Sequence, residues 1–187
     1  TLLNLIIQSV DLATSWTAGA TAVTANAAAN PNDGTVNAGK LKEDSATSTH
    51  QRSQAITISA GGTYTFAMAV LAGERTRGRL LFGDSTLASV CAALEYDLSA
   101  GTATGTTVAG TTTITNTLIL ALPNSLWSYI LFTVRLDGST TAAAVALGLH
   151  NGTSYNYAGD GTSGLYPYRP TLVAGSYTRI PLIDTTT

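Results

Sequence analysis

Thr63-Tyr64-Thr65-Phe66-Ala67-Met68-Ala69-Val70 alternates large and small side chains. Successive residues of an extended chain point to opposite faces, so Tyr64, Phe66, Met68 and Val70 share one face and the small residues the other. The spacing predicts a half-buried strand. Gln54-Ala55-Ile56-Thr57-Ile58 repeats the pattern, and Val90, Ala92, Leu94 and Tyr96 oppose Cys91, Ala93, Glu95 and Asp97. The run Leu126 to Leu136 is apolar in part on both faces, as in a central strand covered on both sides. The expected core contains Tyr64, Phe66, Met68, Leu94, Tyr96, Trp127, Ile130, Phe132 and Val134.

Turn chemistry separates these runs at short intervals: Asn30-Pro31-Asn32-Asp33-Gly34, Ala60-Gly61-Gly62, Gly83-Asp84-Ser85, Pro123-Asn124-Ser125 and Asp137-Gly138-Ser139. No segment carries a helical period with caps. Ala18 to Ala29 is rich in alanine, but Thr21, Val23 and Thr24 are β-branched, which reads as strand plus loop. Ser99 to Thr113 reads as a mobile loop or edge hairpin. Many short strands with regular turns predict an all-β, antiparallel, jelly-roll-like sandwich. We expect a single domain over 1–184, with 185–187 a linker or frayed end.

At 187 residues the chain fits one large sandwich. It opens at Thr1 without an initiating Met, as a processed or excised piece would. Cys91 alone excludes an internal disulfide framework. Charged residues are 11% of the chain, far below the usual quarter, so Thr, Ser, Asn and Gly must hydrate the surface. A net charge of -2 argues against nucleic acid, whose phosphates demand a basic patch. The apolar start Leu2 to Ile7 is too short to span a bilayer, and no membrane insertion is expected.

Arg75, Arg77 and Arg79 are spaced by two and are expected on one strand face, with Leu80 and Phe82 opposite; Arg75 is expected to pair with Glu95 on the next strand. A guanidinium fork also binds hydroxyls and carboxylates, so this stripe is a candidate carbohydrate site. Tyr155 and Tyr157 would share a face as a stacking platform, within a tyrosine cluster with Tyr166 and Tyr168 near Asp160. Glu95 with Asp97 could be read as a glycosidase pair, but a solvated sheet face is the plainer reading. His50 lies in a polar stretch and is expected to be exposed. Neither it nor His150 sits in a nucleophile motif, so no catalytic residues are expected. Trp127 is expected in the core and Trp16 as a plug closing the sandwich. Asp160, between Gly159 and Gly161, is a weak metal candidate and more naturally a turn residue. Asn151-Gly152-Thr153 reads as a hairpin turn. No cofactor is expected.

Several segments together resemble a sandwich domain of bacteriophage tail and head fibre proteins and related carbohydrate-binding appendages. They are Asn4-Leu5-Ile6 with Gln8-Ser9 and Trp16, Asn26 to Gly34 with Lys40-Leu41, Gly62 to Phe66 and Ala72-Gly73-Glu74-Arg75. Tyr96 to Thr102, Tyr157 to Tyr166, Gly175-Ser176-Tyr177 and Ile180-Pro181 complete the set. The resemblance implies a virion surface module of a head fibre, tail fibre or decoration protein. It implies adhesion to host-surface glycans, other virion proteins as partners, and a homo-oligomer, with a trimer the natural fibre state. Two alternatives stay open: a capsid or tail building block without ligand, and a carbohydrate-binding module attached to a polysaccharide-degrading enzyme.

Overall fold

The computed structural model describes residues 2–84, 90–107, 110–123, 125–139 and 142–185. The expected turns at Gly83-Asp84-Ser85 and Pro123-Asn124-Ser125 fall partly outside these residues, as does the end of the chain beyond Thr185. In chain order the strands are β1 (Thr17–Gly19), β2 (Thr21–Ala29), β3 (Val36–Glu43), β4 (Thr47–Thr49), β5 (Gln51–Thr57), β6 (Thr63–Ala72) and β7 (Arg77–Gly83). They continue as β8 (Val90–Asp97), β9 (Thr102–Thr107), β10 (Thr113–Ala121), β11 (Trp127–Arg135), β12 (Ala142–His150), β13 (Asn156–Ala158) and β14 (Gly164–Ala174). Among the described residues no helix is long and apolar enough to cross a membrane.

Two six-stranded sheets form, ordered β1-β5-β12-β7-β8-β9 and β10-β11-β6-β14-β3-β2, with β13-β4 as a small third sheet. Every recorded strand pair is antiparallel. The central strands β3, β14, β6 and β11 of one sheet face β5, β12, β7 and β8 of the other. Along the chain these eight strands pass between the sheets in jelly-roll order. The all-β sandwich expected from the alternation is therefore the fold. Ala18 to Ala29 forms the end of β1 and all of β2, broken at Ala20 and bulged at Asn26, both with left-handed backbone. Thr102–Thr107 is an edge strand in continuous register with β8 rather than a loose loop.

Between the sheets lies one core. Tyr64, Phe66, Met68 and Val70 meet Leu80, Phe82, Leu94, Tyr96, Val145 and Leu147, with Ile130, Phe132 and Val134 beside them. Phe66, Phe82 and Phe132 pack with ring centroids 5.9–6.1 Å apart, in the tilted and edge-on arrangements that aromatic quadrupoles favour. Trp16 is buried in this core, its indole N–H donating to Gln8 O at 3.2 Å, as a plug would.

Two expectations need correction. The strand β6 is buried on both faces: Thr65, Ala67 and Ala69, placed on its open side by the alternation, are fully buried. The cover is the chain's last segment, where Tyr177, Ile180, Leu182 and Ile183 pack on Ala67, Tyr129, Leu131 and Val173. Trp127 is buried, but on this outer face, against Ala38, Ala69 and Tyr168. It lies three residues before Ile130, an odd offset in a period of two, so it cannot share the inner face of Ile130, Phe132 and Val134.

Short side-chain clamps hold the cover down. Tyr129 Oη donates to Ile180 O at 2.9 Å and accepts from Ile180 N at 3.0 Å. Thr133 Oγ1 donates to Tyr177 O at 3.1 Å. The N-terminal segment joins in, with Asn4 Oδ1 accepting from Leu172 N at 2.8 Å and Asn4 Nδ2 donating to Ile183 O at 3.1 Å. Phe132→Ala should cost about 3–5 kcal/mol in urea unfolding, as expected for an aromatic cavity at the centre of a core. Tyr129→Phe should leave global unfolding cooperative while sharply accelerating amide exchange at Ile180, because it removes both partners of that residue's backbone.

Candidate functional site

The outer face of the sheet containing β7 is the open one, and it carries the polar side chains. Cross-strand pairing sets His150, Arg77, Asp97 and Thr102 in one row and Gly148, Arg79 and Glu95 in the next. Arg77, Glu95, Asp97, Thr102 and His150 line, with Tyr155, a cleft of about 230 Å³ also bordered by Tyr96, and Arg79 lies against the Tyr155 ring beside it. A neighbouring depression of about 350 Å³, lined by Glu74, Arg75, Thr76, Ser99 and Asn151, shares Arg77 and His150 and extends the cleft into a groove.

Each group is positioned by local structure. Arg77 Nε donates to Asp97 Oδ2 at 2.6 Å and its Nη1 to Gly152 O at 3.1 Å. Asp97 also accepts from the Ser99 hydroxyl and from Ser99 N at 2.9 Å. Ser99 and Arg77 together outweigh the effect of burial and bring the Asp97 carboxyl down to about 2. The turn after β12 is closed by Asn151 Oδ1, which accepts from Thr153 N at 2.9 Å and Ser154 N at 2.8 Å. It folds Tyr155 back over the sheet, edge-on to His150 at 4.4 Å, with the Arg79 guanidinium 4.0 Å from the Tyr155 ring centroid.

Gly148 makes that stack possible. A Cβ there would lie 3.0 Å from Arg79 Cγ, so any larger residue would push the arginine stem away from its place across β12 by a few tenths of an ångström. Burial lowers the Arg79 guanidinium, opposed by Tyr155 and Glu95. Arg79 Nε is buried with no hydrogen-bond partner among the described residues. Burial and then Arg77 lower His150, which keeps its ring neutral near pH 7. Its Nδ1 accepts from Gly152 N at 2.9 Å. Burial also pushes the Tyr155 phenol up, so that it stays an intact hydroxyl.

Of the residues singled out from sequence, the fold brings together Arg77, Arg79, Glu95 and Tyr155. Arg75 borders only the neighbouring depression. The expected Arg75–Glu95 pair does not form, because β7 begins at Arg77 and its register sets Arg79 opposite Glu95. Arg75 instead binds fully buried Glu43, with Nε donating to Oε2 at 2.9 Å and Nη2 to Oε1 at 2.5 Å. Tyr157 is likewise lost to the expected platform: it is buried, donates its hydroxyl to Glu43 Oε2 at 2.6 Å, and lies 5.4 Å below the Arg75 guanidinium. The tyrosine cluster does not form either, since Tyr166 lies by Lys40 and Tyr168 by Trp127.

His50, expected to be exposed, is fully buried against the Tyr157 ring, with its nitrogens facing Ala20 O at 2.6 Å and Tyr157 O at 3.1 Å. Asp160 is a turn residue: Oδ2 accepts from the Ser163 hydroxyl at 2.5 Å and Oδ1 from Ser163 N at 2.7 Å and Thr162 N at 2.8 Å, and these bonds, the hydroxyl's first, hold its carboxyl far below the usual range. No group of three metal-ligating side chains surrounds it among the described residues. Sequence reading does not single out Glu43, the buried anchor beside the groove, because its context Lys40-Leu41-Lys42-Glu43 reads equally well as a solvated strand end.

The Glu43 cluster is the frame of this end of the sandwich. Burial disfavours the Glu43 carboxylate, but bonds from Arg75, Tyr157 and the Asp160 N–H at 3.0 Å prevail and lower its pKa. The stability it contributes is thus fully present above the ordinary carboxylate value of about 4.3 and is lost as pH falls through the lower folded value. Arg75→Met strands a buried carboxylate and should cost about 3 kcal/mol or more, part of which a second substitution, Glu43→Gln, restores. In urea melts from pH 6 down to pH 3 (roughly the span in which carboxylates titrate), Glu43→Gln should lose less stability than the parent.

No family model matches this chain, and no curated protein sequence matches it. Among solved structures it is similar to the enzymatically active domain of tailspike protein 4 of bacteriophage CBA120. That match has a TM-score of 0.51 and 11% identity over 91% of this chain. The chain spans 21% of the length of that protein, and the likeness is one of fold. A structure described as "CBM4 structure and function" aligns over 92% of this chain and 95% of its own, at 13% identity and a TM-score of 0.45.

Proposed function

We propose that this domain is a non-catalytic glycan-binding module of a virion appendage, and that the groove of Arg77, Arg79, Glu95, Asp97, His150 and Tyr155 holds the sugar. The Arg79–Tyr155 stack at 4.0 Å is the observation that carries this reading. It presents a flat, half-buried cation beside carboxylates, a mixture of donors and acceptors suited to a polyol. The first depression has room for a single sugar ring and its neighbour for another.

Asp97 is held ionised by Ser99 and Arg77, which removes it as a general acid, and His150 Nδ1 is occupied by a backbone N–H. Asp97 is thus unsuited to the general-acid part in a glycosidase pairing with Glu95. The fold shared with a phage tailspike domain supports placement on a virion surface, where weak single sites gain avidity from copies displayed together as a homo-oligomer.

A glycan array probed with the domain on multivalent beads should give a specific signal. Arg79→Ala and Tyr155→Ala should each weaken binding at least tenfold, in line with about 1.4 kcal/mol or more per lost polar contact. Gly148→Ala should do the same by tilting Arg79, without itself touching the ligand. Silence across the array, or signals indifferent to these three substitutions, favours the ligand-free building block instead.

A further inference from the structure

The turn that carries Tyr155 back over the sheet begins His150-Asn151-Gly152 and contains the one Asn-Gly dipeptide of the chain. Asn151, Gly152 and Thr153 are exposed to water. The side-chain amide of an asparagine is open to attack by the backbone nitrogen of the next residue, because the product is an unstrained five-membered ring. Glycine in that next position brings no side chain to hinder the approach.

Two obstacles slow this reaction in an ordinary peptide. The backbone nitrogen holds its proton, and negative charge builds on the side-chain oxygen as the new bond forms. The turn meets both. Gly152 N donates to His150 Nδ1 at 2.9 Å. An imidazole nitrogen that accepts a hydrogen bond carries a free lone pair, so His150 is the Nε2–H tautomer, and its Nδ1 is a base already touching the proton to be removed. The ring is fixed there edge-on to Tyr155, and burial, then Arg77, favour its neutral form. Asn151 Oδ1 in turn accepts from Thr153 N at 2.9 Å and Ser154 N at 2.8 Å, two backbone donors at the distance that stabilises an oxyanion. Base, nucleophile, electrophile and oxyanion donors thus lie together within residues 150–154.

We infer that Asn151 is a site of self-catalysed deamidation, with His150 as general base and the Thr153 and Ser154 N–H groups as oxyanion donors. Gly152 N forms a bond to Asn151 Cγ while its proton passes to His150 Nδ1. The tetrahedral carbon then expels the side-chain nitrogen, which takes that proton from the imidazolium and leaves as ammonia, closing a succinimide. Water opens the ring at either carbonyl and gives aspartate or isoaspartate. Either product puts a carboxylate into the depression that Asn151 shares with Arg75 and Arg77. Isoaspartate also inserts one backbone carbon into the turn before Tyr155. The chemistry proceeds whether or not the groove holds a sugar.

The full chain, held in buffer near neutral pH, is followed by intact mass and by fragmentation of the peptide that contains Asn151. One deamidation should accumulate at residue 151, as a mixture of aspartate and isoaspartate. It should form faster in the native chain than in the same chain unfolded in urea, a comparison that needs no variant. His150→Asn keeps an oxygen to accept from Gly152 N but supplies no base, and should slow the native rate about tenfold, less than positioned bases achieve in enzymes. A native rate equal to or below the unfolded one, equal rates in the parent and His150→Asn, or no product at residue 151 overturns the assignment.

Discussion

The two sheets share one core but differ on their outer faces, and that asymmetry organises the rest of the molecule. The outer face of β6, β11 and β14 carries Ala67, Tyr129, Leu131 and Val173, too much apolar surface to leave in water. Terminal segments must therefore cross it, tied down by Tyr129, Thr133 and Asn4. Among the described residues the outer face of β7, β8 and β12 carries one small apolar patch, Leu81, Ala93 and Ala146, beside its arginines and carboxylates. Its polar end, around Arg77, Asp97 and His150, stays open. The covered face gains a cavity where the cover meets the β10–β11 hairpin; the open face gains a groove.

Glu43 solves a second problem, that of holding loops against a sheet edge. A carboxylate out of contact with water is tolerable only when its lone pairs are met. Here Arg75, Tyr157 and the Asp160 N–H meet them, drawing the β6–β7 connection, β13 and the Asp160 turn onto the end of β3. Because β13 follows Tyr155 directly, fixing Tyr157 also fixes where Tyr155 can fold back over Arg79. The network thus acts on the groove from a distance, by positioning one of its walls.

The groove itself is built by register. Arg77 opposite Asp97 and Arg79 opposite Glu95 place alternating charges in adjacent rows, and Gly148 on the third strand clears space for the arginine stem. Such a surface is neutral in sum and rich in directed donors and acceptors. That character fits a chain with few charges, in which Thr, Ser, Asn and Gly carry much of the polarity.

The amino-acid sequence alone determined the class of fold, the inner core of Phe66, Met68, Leu94 and Phe132, and the shared face of Arg77 and Arg79, because a period of two is a local property of the extended chain. The same period sets Trp127 on the face opposite Ile130, but it could not show that this face is covered and Trp127 buried there. Nor could it pair Arg75 with Glu43, bury His50 or part Tyr155 from Tyr157, since each depends on segments far apart in the chain meeting at one edge. Which charges ended up buried and which remained open to a ligand was decided by strand register and by the path of the terminal segments, and those are settled only when the two sheets close on each other.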